Sequence, residues 1–162
     1  MSAVNNIIVI EPTTSEHLDE LALNMRESDL QEITCISNRG VRATLALSAE
    51  LSSWVSTCLV DGAVAAVWGV APRWAENPRD DFAVPWMLGT PLTNAHPKTL
   101  VSESKRQLRL MLNDYDHLQQ WVDIRNTASV RWLKHLGFTF GEAKPYGMAG
   151  ELFYPFWYKN NV

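Results

Sequence analysis

Asp123 and Asn126 sit in the stretch DIRNTASVRWLKHLGF, Asp123 to Phe138, and their types and spacing could do chemistry. Asp123 offers a carboxylate that can take a proton or fix a neighbouring donor. Asn126 offers an amide that can hold a ligand, or cap a helix by accepting one of its free N–H groups, and Thr127 can cap as well. For Asp123 a structural hydrogen bond is the plainer reading, and for Asn126 the plainer one is the cap. Sharper signatures are absent. The chain has no Gly-x4-Gly-Lys-Ser/Thr phosphate loop, no His-Glu-x-x-His and no Gly-x-Ser-x-Gly. Its four His and two Cys show no metal-ligand spacing, so no metal is expected. The aromatic run FYPFWYK could stack bases, but its strand pattern favours core or interface packing.

Composition narrows the classes further. A chain of 162 residues with 46% hydrophobic and 20% charged residues reads as one globular domain, residues 1–162, with a real core. The formal net charge of -4 is no footprint for nucleic acid, whose binders are basic over the contact face. Cys35 and Cys58 lie far apart with no Cys-x-x-Cys, so reduced thiols in a cytosolic protein are expected. The first residues, MSAVNNIIVIEP, do not read as a signal peptide. No apolar stretch approaches the roughly 18 residues needed to span a bilayer. The seven Trp point to aromatic packing or a partner surface.

The elements that would position these residues follow from periodicity. Ile7 to Ile10 reads as a strand ended by Pro12, and Thr13 with Glu16 fits a capping box for a helix carrying Leu18, Leu21, Ala22 and Met25 on one face. Ser28 with Gln31 fits a second capping box before Leu30 and Ile33, and Ala43 to Trp54 reads as a third helix. The period then changes. Val55–Val60 and Ala63–Val70 flank Asp61-Gly62, a pair suited to the positive φ angles of a two-residue hairpin turn. Ala71 to Asp81 is loop-like, with an acidic end. Ala83 to Thr90 reads as a strand whose Pro85 requires an edge, a bulge or a splayed neighbour, because proline donates nothing to a ladder. Pro97 to Leu112 is a helix with Leu100, Leu108 and Met111 on one face, and with Lys105, Arg106 and Arg109 on a solvated face. Leu118 to Ile124 is a strand. Val130, Leu133 and Leu136 recur on the next helix, which Gly137 can close. Phe138–Phe140 and Glu151–Tyr158 are strands on either side of a turn-rich connection. The long helix joins two strands expected to be parallel neighbours.

This order, with WVDIRNTASVRWLKHLGF near its end, resembles the GNAT fold of the GCN5-related N-acetyltransferases: a mixed central sheet flanked by helices. The resemblance covers nearly the whole chain by element order and is most specific from Asn126 to Phe138. More narrowly, PWMLGT, HPKTLVSESKR, RNTASVRWL and the terminal aromatic strand are similar to the short GNAT-like proteins of short-tailed bacteriophages, of the internal virion or morphogenesis type.

The resemblance implies acetyl-CoA as cosubstrate and an amine as acceptor. Backbone groups of Met87, Leu88, Gly89 and Thr90 would pair with the pantetheine arm. His96, Lys98 and Thr99, with Pro97, open the helix whose free amides would face the pyrophosphate, since helix N-termini carry positive partial charge and unpaired donors. Asn126 would bond the pantetheine or thioester region. A backbone N–H at Leu88 or nearby would stabilise the oxyanion. Glu27, Asp29, Glu76 and His96 are the candidate bases, and no spacing singles one out. Trp68, Trp74 and Trp86 would pack the core or line a groove.

Two departures weigh on catalysis. TPLTNAHPKTL has no glycine after Gly89, so side chains crowd the place of the family's glycine-rich pyrophosphate loop, and Pro97 removes a donor. Leu133 stands where many members carry a Tyr that protonates the departing thiolate. Two expectations follow: an acyl-CoA-dependent N-acetyltransferase working by direct transfer, or a non-catalytic GNAT-like phage protein that serves virion assembly or binds a host protein. Either would work in the host cytoplasm, or ride in the virion in the second case.

Overall fold

The computed structural model describes residues 5–73 and 82–160. The chain runs β1 (Ile8–Pro12), α1 (Ser15–Asn24), α2 (Glu27–Ile36), α3 (Val41–Leu51), β2 (Trp54–Val60), β3 (Ala63–Pro72), β4 (Ala83–Gly89), α4 (Leu92–Ala95), α5 (Pro97–Asp114), β5 (His117–Asp123), α6 (Thr127–Leu136), β6 (Thr139–Phe140), β7 (Lys144–Pro145) and β8 (Leu152–Lys159). The strands form one eight-stranded sheet in the order β1-β2-β3-β4-β5-β8-β6, with β7 also on β8. Every pairing is antiparallel except β4 with β5, which α5 joins as a parallel crossover. The fold is thus the expected mixed α/β plan, a central sheet flanked by helices.

The Asp61-Gly62 hairpin forms as the sequence dictates. Asp61 has φ 49° and Gly62 has φ 82°, the two positive angles of a turn that matches strand twist. Asp61 also ties the hairpin to the start of β1: its N–H donates to the Ile7 carbonyl at 2.8 Å, and its Oδ1 accepts from the Ile7 N–H at 2.8 Å. β3 is buried from Val64 to Val70, as a central strand covered on both faces must be. On one face Val64, Val67 and Leu88 pack under α1, α2 and α3, against Leu18, Leu21, Ile33 and Leu45. On the other, Ala66, Trp68 and Val70 meet Leu100, Leu108 and Met111 of α5, with α6 beside them.

Some element ends differ from expectation. The first cap is Thr14, not Thr13. The Thr14 Oγ1 accepts from the His17 N–H at 3.2 Å, and the Thr14 N–H donates back to His17 Nδ1 at 3.0 Å, while Thr13 is drawn off to the Thr57 hydroxyl at 2.7 Å. The second capping box does not form, because α2 begins one residue before Ser28 and its N-cap, Arg26, makes no side-chain cap bond. The third helix ends at Leu51, and Trp54 instead opens β2 opposite Val70. A short helix, α4, fills the polar segment before Pro97. α6 is capped at both ends: Asn126 Oδ1 accepts from the Ser129 N–H at 3.3 Å, and Gly137 closes it at φ 100°. Among the described residues no helix is long and apolar enough to cross a membrane.

Candidate functional site

β4 and β5 share a single paired position, Ala83 with Leu118, and then diverge, leaving a gap in the middle of the sheet. The sequence explains the gap from the β4 side. Thr90 donates its N–H to the Ala65 carbonyl of β3 at 2.9 Å, whereas the Gly89 N–H and carbonyl turn the other way. By strand alternation Trp86 and Leu88 bond toward β3, and Pro85, Met87 and Gly89 face the gap. Pro85 is therefore tolerated in a central strand because no partner strand needs its missing N–H. The Leu88 N–H is committed to the ladder with Val67, so the donor facing the gap is the neighbouring Met87 N–H.

The outer end of the gap is closed by a buried polar cluster. The start of α2 supplies Arg26 and Asp29, exposed by only 7% and 1%. The Arg26 guanidinium grips the Asp29 carboxylate, Nε to Oδ2 at 3.0 Å and Nη2 to Oδ2 at 2.8 Å. The same carboxylate accepts the Gly89 N–H at 2.9 Å and the Asn126 Nδ2 at 3.2 Å. The Arg26 N–H donates to the Gly89 carbonyl at 2.9 Å. One carboxylate thus satisfies a buried guanidinium, a strand end and the cap residue of α6, which a buried charge needs in order to persist.

Glu32 stands one turn further along α2. Its Oε1 accepts the Asp123 N–H at 2.7 Å across the gap. Burial, with the Asp29 and Asp123 charges behind it, outweighs that bond and one from Asn126 and pushes the Glu32 carboxyl up to about 7. Asp123 behaves oppositely. Burial works to raise it, but hydrogen bonds from Arg125, including Nη2 to Oδ2 at 2.7 Å, hold it below the ordinary carboxylate range. Two neighbouring carboxyls are thereby separated, one ionised and structural, the other poised to take or give a proton near neutrality.

A cavity of about 470 Å³ runs through the sheet at the gap. Glu32, Ile36, Ser48, Leu51 and Trp86 line it on the α2–α3 side, and Ser104, Gln107, Trp132 and Leu133 on the α5–α6 side. Gln107 Oε1, Trp68 Nε1 and Trp132 Nε1 are buried on its walls with no hydrogen-bond partner. Tyr146, which stacks on Trp121 with ring centroids 4.5 Å apart, also lines it, and burial raises its phenol.

The structure places Met87 and Leu88 in the cavity wall, gathers Gly89, Asp29 and Asn126 in the buried cluster at its end, and turns Thr90 away to bond Val64 and Ala65 of β3. Of the other candidates, Glu27 is exposed at the start of α2. His96 is the N-cap of α5 without a side-chain cap bond, and Thr99 is half-buried in its first turn. Lys98 lines a separate hollow with Val101, Ser102, Lys105 and His135. Lys105, Arg106 and Arg109 are exposed. Glu76 and Trp74 lie outside the described residues. Glu32 was missed because its partners sit some ninety positions away in the chain, at Asp123 and Asn126. The available signal was that Asp29, Glu32, Ile33 and Ile36 recur on one helical face, which puts two acids where α2 packs. Among the described residues no cluster of His, Cys, Asp and Glu could hold a metal ion.

No protein-family model matches the chain, and no curated protein sequence matches it either. Solved structures do. A proposed acetyltransferase from Acinetobacter baylyi ADP1 superposes with TM-score 0.70 at 10% identity, over 99% of this chain and 95% of its own. The yncA protein of Salmonella typhimurium, a proposed acetyltransferase solved with its cofactor acetyl-CoA, gives TM-score 0.62 at 15% identity, over 95% and 94%. The acetyltransferase of GNAT family from Streptococcus pneumoniae gives 0.59 at 14% identity, over 94% and 99%. With its central sheet, splayed β4–β5 pair and flanking helices, the chain has the GNAT fold.

Proposed function

We propose that this protein is an N-acetyltransferase that takes acetyl-CoA and an amine into the two sides of the β4–β5 gap. The observation that carries the reading is the through-sheet cavity at the gap with Glu32 in its wall. The acyl arm fits the inner part of the site. Met87 directs its N–H and carbonyl into the gap. Lys98, Lys105 and His135 line a hollow beside the first turns of α5 that suits phosphate groups. Bound acetyl-CoA would supply the electrophilic carbonyl. Glu32, with its carboxyl near 7, takes the proton of the amine as the new N–C bond forms and the C–S bond breaks. The Met87 N–H is the donor available to the acyl oxygen. Leu133 has no proton to give, so the departing sulfur leaves as the thiolate and takes its proton from water. The test is acetyl-CoA-dependent thiol release with an amine present. Glu32→Gln should lower kcat/KM by about a hundredfold or more. An unaffected rate would refute the assignment.

One observation favours a second reading. Arg26 and Asp29 already bond both backbone groups of Gly89, so this end of β4 offers an arm nothing to pair with. In that case the protein is a non-catalytic member of the short-tailed-phage type, working in virion assembly or on a host protein. This reading expects no acetyl-CoA binding and a stable complex with a virion component.

A further inference from the structure

The two sides of the cavity differ in what they can recognise. Among the described residues Glu32 is the only charged one lining it. On the α2–α3 side two of the other polar groups are already spent, leaving the Ser48 and Tyr146 hydroxyls. The Thr44 hydroxyl donates to the Gly40 carbonyl at 2.7 Å, and the Trp86 Nε1 donates to Ser52 Oγ at 2.9 Å. The remaining wall is Ile33, Ile36, Leu45, Leu51 and the rings of Trp86 and Trp121, the latter stacked on Tyr146. Ile36, Leu51 and Tyr146 line the cavity yet are 45%, 47% and 45% exposed, so they form an apolar mouth.

We propose that the acceptor is a small primary amine on an apolar, ring-bearing body, seated between Trp86 and Trp121 with its nitrogen at Glu32. This rests on the acyl-transfer reading and names its substrate class. One carboxylate pairs with one nitrogen, and a second charge would be buried unpaired, which is costly in a lining of this kind. A polyamine, an aminosugar or a peptide amine flanked by backbone groups would each bring more polar atoms than the Ser48 and Tyr146 hydroxyls can satisfy. An aromatic body suits the wall, because flat rings stack favourably on indole faces.

The test is titration of the purified protein, followed by tryptophan fluorescence at pH 8, with 2-phenylethylamine, its neutral analogue 2-phenylethanol, and spermidine. Phenylethylamine should give a saturable change and bind about tenfold more tightly than either of the others, since a charge-assisted bond is made only by the first. Glu32→Gln should bring phenylethylamine down to the level of phenylethanol. Ser48→Phe, which fills the same side without touching the carboxylate, should weaken both ring compounds. Spermidine binding as tightly as phenylethylamine would overturn the proposal, as would no response to phenylethylamine in protein that binds acetyl-CoA by calorimetry. Glu32-dependent binding of phenylethylamine in protein that takes no acetyl-CoA would overturn the acyl-transfer reading and keep the ligand class.

Discussion

Asp29 and Asn126, which lie 97 positions apart in the chain, meet at the outer end of the β4–β5 gap, where Asn126 Nδ2 donates to Asp29 Oδ1 at 3.2 Å. That bond links the first turn of α2 to the cap of α6, and through Gly89 it reaches the end of β4. The strands that α5 separates are therefore fastened again by one carboxylate.

Asp29→Ala should be severely destabilising. It leaves the Arg26 guanidinium buried without its partner and the Gly89 N–H unpaired, a loss of about 3–5 kcal/mol for a broken buried pair. The paired change Arg26→Met with Asp29→Leu should recover most of that, because no charge is then left behind. Urea denaturation of the three proteins checks both expectations.

Asn126→Ala removes the cap of α6 and the bond to Asp29 together. A lost cap costs about 1 kcal/mol, and the bond to a charged group adds to it. The thermal midpoint should fall while the far-ultraviolet spectrum stays close to wild type.

Glu32 sets a pH dependence. Its folded carboxyl is raised from 4.5 to about 7, so the folded state holds a proton that the unfolded chain has released. The contribution to stability is full below about 4.5, declines as pH rises, and is gone above about 7. Glu32→Gln should abolish that decline and make the protein more stable than wild type at pH 8, by on the order of 2–3 kcal/mol. Activity runs in the opposite direction, since the base works ionised: kcat/KM should climb through pH 7, and the rising limb should vanish in Glu32→Gln. Denaturation midpoints and initial rates across pH 5–9 check the two halves separately.

Much of the fold was legible because the deciding interactions are local. Asp61-Gly62 needs only its own φ preferences to turn, and Asn126 and Gly137 bracket α6 within one short stretch. Pro85 pointed to an edge, a bulge or a splayed strand through its missing N–H alone, and the divergence of β4 from β5 is the outcome. The capping boxes were misplaced where a distant group competed: Thr57 took the Thr13 hydroxyl, and the Arg26–Asp29 pair set the start of α2. The site was legible only in outline. Met87 to Thr90 and Asn126 lie at one end of the sheet, with the backbone groups of Gly89 and Thr90 taken by Arg26, Asp29 and β3. Glu32 acquires its raised carboxyl from burial first and then from the Asp29 and Asp123 charges, and only Asp29 is written near it in the chain.

Gly69→Ala should disturb the cavity from the sheet side. A Cβ there would stand within the indole of Trp86, and that ring is fixed by its bond to Ser52. Displacing it should cost about 1–3 kcal/mol, as overpacking of a core does, and shift the tryptophan emission. A melt together with an emission spectrum shows both effects.

The most direct test of the central claim is calorimetric titration with acetyl-CoA of wild type beside Ser104→Trp, which fills the α5–α6 side of the cavity while leaving Glu32 and the Arg26–Asp29 cluster untouched. Saturable binding by wild type that is lost in Ser104→Trp is the predicted result and would place the acyl arm in the gap. No heat from wild type, or equal binding by both proteins, would contradict it.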